Sequence, residues 1–446
     1  MKMLLLIAVR NLIQARRRTT LLSLALGSVS ALLVLMFSLS QGVSDTMLHS
    51  ATILASGHVN VAGFYKGTPE DAFPIVTERS KVRKAVEEII GSDGEIRDRS
   101  RGWGKVISPA STLQAGVDGI DIKDEGLFMK QLQLAAQKDY VEGGSEEILG
   151  DLSKLSEPGT ILLFAGQAKR LEVDIGDIVT MTSESLSGRV NTVDARIVAI
   201  AKDVGFMSNW SVFVPKSLIV DLYQMSEDTT GAIQVQLDNP DDSEKVMAKL
   251  RAGLEDAGFR LMEHDPKPFW GKFGKVSSED WVGQKLDLTI WSDEVSFMKY
   301  SIDALDTISV FLVSILRVII VVGIINTMLI SVRERTSEIG SLRAIGMHRW
   351  EVLTMIMLEA LVLALFATSV GALVGAGTAS ALDLFEIALP KGAVQTVLMS
   401  DTLHLDISFG QMLSSVLSFS FITVLAALWP AIRAAQLEPV KAIHKT

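Results

Sequence analysis

Four apolar runs, at 20–39, 308–331, 353–379 and 412–429, constrain this chain more than any other feature. Crossing a bilayer takes about 20 helical residues, and lipid admits only segments that satisfy their own backbone, so each run is expected to be a membrane-spanning helix. An even number of spans puts both chain ends on one side. Lys2, Arg10, Arg16, Arg17 and Arg18 precede the first run with no acid among them. Arg333, Arg335, Arg343 and Arg349 lie between the second and third runs, and Arg433, Lys441 and Lys445 follow the fourth. Basic residues are retained in the cytoplasm. Both ends are therefore expected inside and residues 43–302 outside. The first run exceeds the apolar core of a signal peptide and is expected to remain as a span.

The external segment is rich in Asp and Glu, within a chain of 446 residues and net charge −10. That balance argues against nucleic acid as a partner. With no Cys, disulfides, thiolate metal sites and a lipid attached near Ala55-Ser56-Gly57 are all excluded. A domain of this size can be stable on its apolar core alone.

Periodicity divides the chain further. Residues 1–19 place Leu4, Ile7 and Leu12 against Lys2, Arg10 and Gln14, an amphipathic helix suited to the inner leaflet and its lipid phosphates. The spans are expected at 20–42, 303–332, 352–381 and 409–432, joined by a cytoplasmic link at 333–351 and an external loop at 382–408, with a cytoplasmic tail at 433–446. Outside, strand-like 57–62 and 94–107 flank helix-like 80–90, and strand-like 232–237 and 259–262 flank helix-like 242–257. The repeat predicts a split α/β subdomain, 57–115 with 231–277. A small β-rich subdomain is inserted at 116–230, with strands at 178–182, 195–201 and 211–214 and a turn at Gly176-Asp177 between two strands. From 278 to 331 there is no Pro, and Leu, Ile, Val and Phe recur at helical spacing, so a stalk helix is expected at 278–302 running into the second span.

No catalytic group emerges. A Gly-x-x-x-x-Gly-Lys-Ser/Thr loop is absent, and Gly271-Lys-Phe-Gly-Lys275 has the wrong spacing to wrap a phosphate. The six His residues are scattered without an i,i+4 pair, and no metal site is expected. Three features invite a functional reading instead. Arg317 sits deep in the second span, where a guanidinium is costly and faces protein or water; a partner across a dimer interface and an intrachain pair both fit. Gly371 and Gly375, continued by Ala379, form a ridge that lets another helix approach closely. In the link, Arg333, Glu334, Glu338 and Arg343 surround Ile339, Leu342 and Ile345, so an amphipathic helix punctuated by Gly340 and Gly346 is expected to dock its apolar side on another protein.

The segment Arg333-Glu-Arg-Thr-Ser-Glu-Ile-Gly-Ser-Leu-Arg-Ala-Ile-Gly346, followed by Glu359-Ala360, resembles the coupling region of FtsX-like ABC permeases of the MacB, or type VII, class. Ala8-Val-Arg-Asn-Leu12 with Arg16-Arg-Arg-Thr19 is similar to the start of such chains, and Pro430-Ala-Ile-Arg-Ala-Ala435 with Glu438-Pro439 to their end. In size and layout, and in Asp280-Trp281 ahead of the second span, the chain looks most like the lipoprotein-releasing (Lol) permeases. The resemblance implies a bacterial inner-membrane permease that pairs with a second copy or paralogue and binds separate cytoplasmic ATPases, which hold the ATP and Mg. This chain itself would carry no cofactor. Arg333, Glu334, Glu338, Ile339, Gly340, Arg343, Ala344 and Gly346 would face the ATPase, and ATP-driven closure would move the periplasmic domains, a process called mechanotransmission. It further implies a lipoprotein or other amphiphilic cargo passed to a periplasmic carrier. Alternatives are efflux of peptides or drugs with an adaptor, and signalling to a periplasmic hydrolase without transport.

Overall fold

The computed structural model describes residues 2–205, 207–385 and 405–437. Most of the expected 382–408 loop and of the 433–446 tail lies outside the described residues. Two compact units emerge: a helical one, up to Asp45 and from Ile302 onward, and a mixed one, Thr46–Ser301.

A short N-terminal helix, Lys2–Gln14, precedes four long helices that carry the spans: Arg16–Leu54, Ser296–Glu334, Arg349–Leu384 and Phe409–Ala435; residues 46–54 and 296–301 of the first two belong to the mixed unit. The N-terminal helix breaks at Ala15, where the Thr19 hydroxyl donates back to the Leu12 carbonyl at 2.8 Å. Both 39-residue helices are about 58 Å long at 1.5 Å per residue, well beyond a hydrocarbon layer of about 30 Å. Each span buries one stripe. In the second, Val313, Ile320, Ile324, Met328 and Val332 point inward at helical spacing while Ile308, Phe311, Ile315, Val318 and Val322 are exposed.

In the mixed unit the strands are β1 (Val59–Lys66), β2 (Gly94–Ile107), β3 (Thr112–Ile120), β4 (Thr160–Phe164), β5 (Ile178–Glu184), β6 (Val190–Ala201), β7 (Ser211–Pro215), β8 (Ala232–Leu237) and β9 (Gly283–Ile290). One sheet runs β2-β8-β1-β9 with every neighbour antiparallel. The helix Arg79–Ile90 links β1 to β2 and Ser243–Asp256 links β8 to β9, so each crossover skips one strand, the split βαβ arrangement of ferredoxin-like folds. Val82, Val86 and Ile90 of one helix and Val246, Leu250 and Leu254 of the other bury against β1, β8 and β9.

Between β2 and β8 the chain builds a second body. Strand β2 pairs with β3 and β5, β5 with β6, β6 with β4, β4 with β7 and β7 with β3, which closes a ring of six strands around its own apolar core. The barrel borrows half of β2: Gly94–Arg99 pair with β8 and Ser100–Ile107 with β3. The expected boundary at 116 is therefore too late, because one strand serves two sheets.

Three further expectations are corrected. The stalk at 278–302 is not helical throughout; 283–290 is β9, paired along its length with β1, and the helix begins at Ser296. Leu286, Leu288 and Ile290 alternate with Lys285, Asp287 and Thr289, a period of two hidden in an apolar stretch. Asp280-Trp281 accordingly leads into a strand rather than a span. Residues 259–262 contribute only a bridge, Leu261 to Leu286, since β9 takes the place next to β1. Finally, the element just before the Gly176 turn is a helix, Ala165–Leu171, and not a strand; Gly176 turns into β5 at φ 94°.

Candidate coupling site on the helical unit

The link is shorter and more inward-facing than its sequence suggests. Its helix spans Thr336–Ala344, between the end of the second span at Glu334 and the start of the third at Arg349. Arg343 donates from Nη1 to the Leu437 carbonyl, tying the helix to the end of the fourth span. The chain then reverses through Gly346 at φ 115°, a left-handed conformation that favours glycine. His348 donates its backbone N–H to the Glu351 carboxylate at 2.8 Å, which opens the third span.

Ile339 is 3% exposed and Gly340 is buried, both against the chain's own helices. Of the apolar side expected to meet another protein, Ile339 is thus already covered by the helices beneath the link, Leu342 is half-buried and Ile345 is left open. Arg333, Glu334, Glu338, Ala344 and Gly346 stay exposed, Arg343 is half-buried, and Ile345 and Trp350 stand out at 86% and 70% exposure.

Beneath the link lies a buried ionic joint. Glu359, about three turns into the third-span helix and 4% exposed, accepts from Arg335 Nη1 at 3.0 and 3.1 Å and from the Asn11 amide at 2.5 Å. Arg335 also donates from Nε to Glu338 at 2.9 Å. The N-terminal helix, the link and the third span therefore meet on one carboxylate. A charge-assisted pair of this kind is directional, so it fixes the orientation of the link on the helices below. Asn11 belongs to the Ala8-Val-Arg-Asn-Leu12 motif, yet nothing in its local spacing announces a partner 348 positions away.

The Gly371 and Gly375 ridge finds its partner in the first span. A Cβ on Gly371 would lie 2.7 Å from the Gly27 Cα, and one on Gly375 would lie 2.9 Å from the Ala31 Cα. Between them the Ser30 hydroxyl donates to the Thr368 carbonyl at 2.9 Å. Gly27 and Ala31 share the four-residue spacing of Gly371 and Gly375, a signal the sequence held and a search of the third span alone misses. Arg317 pairs within the chain: Nη2 donates to Ser418 of the fourth span at 3.0 Å, and the guanidinium lies over the Phe419 ring at 5.7 Å. Among the described residues no cluster of metal-ligating side chains forms.

Four helices long and apolar enough to cross a membrane, with a short charged link, share this chain with a large α/β unit, and the family matches make that combination a permease's. Residues 19–252 match the MacB-like periplasmic core domain and residues 309–439 the FtsX-like permease C-terminal domain. The chain belongs to the family of MacB-type ABC transporter permeases. It is 36% identical over 123 residues to the macrolide export ATP-binding/permease protein MacB of Chlorobium luteolum, covering 27% of this chain and 16% of that protein. With the protein of the same name from Hahella chejuensis the identity is 32% over 124 residues, covering 28% of this chain and 17% of the relative. The chain thus matches about a sixth of the length of these relatives. Among solved structures, the extracellular domain of the noncanonic ABC-type transporter YknZ from Gram-positive bacteria aligns with 51% of this chain and 98% of its own, at 12% identity and a TM-score of 0.29. The periplasmic region of MacB from Actinobacillus actinomycetemcomitans aligns with 44% of this chain and 84% of its own, at 11% identity and a TM-score of 0.27.

Proposed function

We propose that this chain is the permease subunit of an ABC transporter in a bacterial inner membrane, with both ends in the cytoplasm and the mixed unit in the periplasm. A separate ATPase, holding ATP and Mg, docks on the exposed side of the 333–351 link, and its closure is passed along the two long helices to the periplasmic unit. A second permease copy or paralogue completes the assembly. The observation that carries this reading is the joint of Arg335, Asn11 and Glu359: it makes the link, the N-terminal helix and the third span one body, which a push from the cytoplasm requires.

The cargo favoured is lipidated or amphiphilic, a lipoprotein above all, drawn from the outer leaflet and handed to a periplasmic carrier. Withdrawing acyl chains from lipid costs about 0.8 kcal/mol per CH₂, which calls for a motor. The relatives named for macrolide export support a second reading, efflux of small amphiphiles through an adaptor. Isolation of the full chain from native membranes tests both. A co-isolated ATPase with acylated protein supports release, and an ATPase with a periplasmic adaptor supports efflux. A chain that brings no ATPase overturns the proposal.

A further inference from the structure

The 39-residue first-span helix ends at Leu54, and its last carbonyls are held by two buried arginines of β2. Arg97 Nη2 donates to the Thr52 carbonyl at 2.6 Å and to those of Ile53 and Ser56 at 3.3 Å. Arg99 donates to the Leu54 carbonyl at 2.6 Å and to that of Ile53 at 2.7 Å. Glu125 offsets one of the two charges, accepting from Arg99 Nε and Nη2 at 2.7 Å each and from Arg97 at 3.4 Å. All three side chains are nearly inaccessible to solvent. The terminal carbonyls of a helix lack intrahelical donors and carry its negative dipole end, so two guanidinium groups satisfy both demands at once.

The opposite face of the same strand is equally charged. Asp98 is buried between Arg79 and Arg83 of the Arg79–Ile90 helix and Lys216 of the helix that follows β7. Arg97 to Arg99 are also the residues at which β2 leaves the four-stranded sheet for the barrel. A buried ionic group of this size is a poor way to stabilise a fold, since apolar residues of the same volume serve as well or better. It is a good way to fix direction. The covalent route from the first-span helix to the sheet runs through the short 55–58 segment into β1, and the two arginines add a second, non-covalent route into β2.

We propose that Arg97, Arg99 and Glu125 are positioning residues that lock the end of the first-span helix to the strand shared by sheet and barrel, so that movement of the helix turns both bodies together. This rests on the force-coupling role proposed above. Because the chain has no Cys, spin labels at His49→Cys on the helix and Val190→Cys on the barrel report the joint in the full chain. The wild-type joint gives one narrow distance; Arg97→Met with Arg99→Met broadens it, and Arg99→Lys, which keeps the charge and loses the fork, broadens it less. In the native-membrane complex with its ATPase, MgATP changes amide exchange across 94–120 in the wild type. Each variant loses at least about fivefold of that response while ATP is still hydrolysed. Should the double variant fail to fold, Arg99→Lys and Glu125→Gln carry the test. Variants that keep both the narrow distance and the nucleotide response overturn the lock. A wild-type chain with no nucleotide response overturns the proposed function, and with it the coupling role of the lock, whatever the distances show.

Discussion

Arg335 and Glu359 face each other across the base of the link, with one guanidinium nitrogen shared between both carboxylate oxygens at 3.0 and 3.1 Å. Glu359 is buried, so removing its cation strands a charge, a loss of about 3–5 kcal/mol for pairs of this kind. Arg335→Leu and Glu359→Leu are each expected to lower the melting temperature of the full chain in detergent. The double variant is expected to melt above either single one, because neither charge is then left alone. Additive losses in the double-mutant cycle would show that the pair is not coupled.

Gly27 and Gly371 let the first and third spans touch backbone to backbone. Gly371→Val is expected to force these helices apart and lower the melting temperature by several degrees. Gly377→Val, on the same helix with nothing within 4 Å of the added carbon, is expected to be neutral. Equal effects at both positions would mean that helix propensity rather than close approach sets the outcome.

On the link, exposure separates docking from packing. Ile345→Asp and Trp350→Ala alter side chains that touch little of this chain, and Glu338→Lys reverses an exposed charge. Each is expected to reduce co-isolation of the ATPase about tenfold or more; Ile345→Asp and Trp350→Ala leave the melting temperature unchanged, whereas Glu338→Lys lowers it slightly, because Glu338 also accepts from Arg335. Arg343→Glu is expected to reduce both, since its guanidinium also holds the Leu437 carbonyl. Full ATPase recovery with the first three variants would count against this face.

How far the sequence reveals this architecture depends on whether a signal is local. The spans announce themselves because an apolar run of that length has few other fates, and β2 and β8 were legible at their observed bounds from alternation and flanking turns. The division of β2 between two sheets was not, because register with β8 and β3 is set by residues more than a hundred positions apart in one case and by a hairpin in the other. Strand β9 resembles helix in sequence, since apolar residues near a span fit either period over eight positions. In the link, Ile339 and Ile345 looked alike; only the helices beneath decide that one is core and the other surface. The charges on β2 sit in an ordinary alternating pattern, and nothing near them in sequence marks the Leu54 carbonyl as their partner.

His58 offers a pH test in the segment that joins the first-span helix to β1. Its Nδ1 accepts the Leu237 backbone N–H at 2.8 Å, which requires that nitrogen to be unprotonated. Burial, then the nearby Arg97 and His49, push the ring from 6.5 down to about 4. A folded value below the unfolded one means that the folded state resists the proton. Its contribution is whole above about pH 6.5 and is lost as pH falls toward 4, amounting to about 3 kcal/mol when the ring must finally charge. His58→Asn keeps an acceptor near the same place and removes the titration. Wild type is expected to be at least as stable as His58→Asn at pH 7.5 and to lose ground to it steadily between pH 6.5 and 4.5 in thermal melts. Parallel curves over that range would show that the ring is not held neutral by its surroundings, and that the 55–58 segment is more open to water than its hydrogen bonds describe.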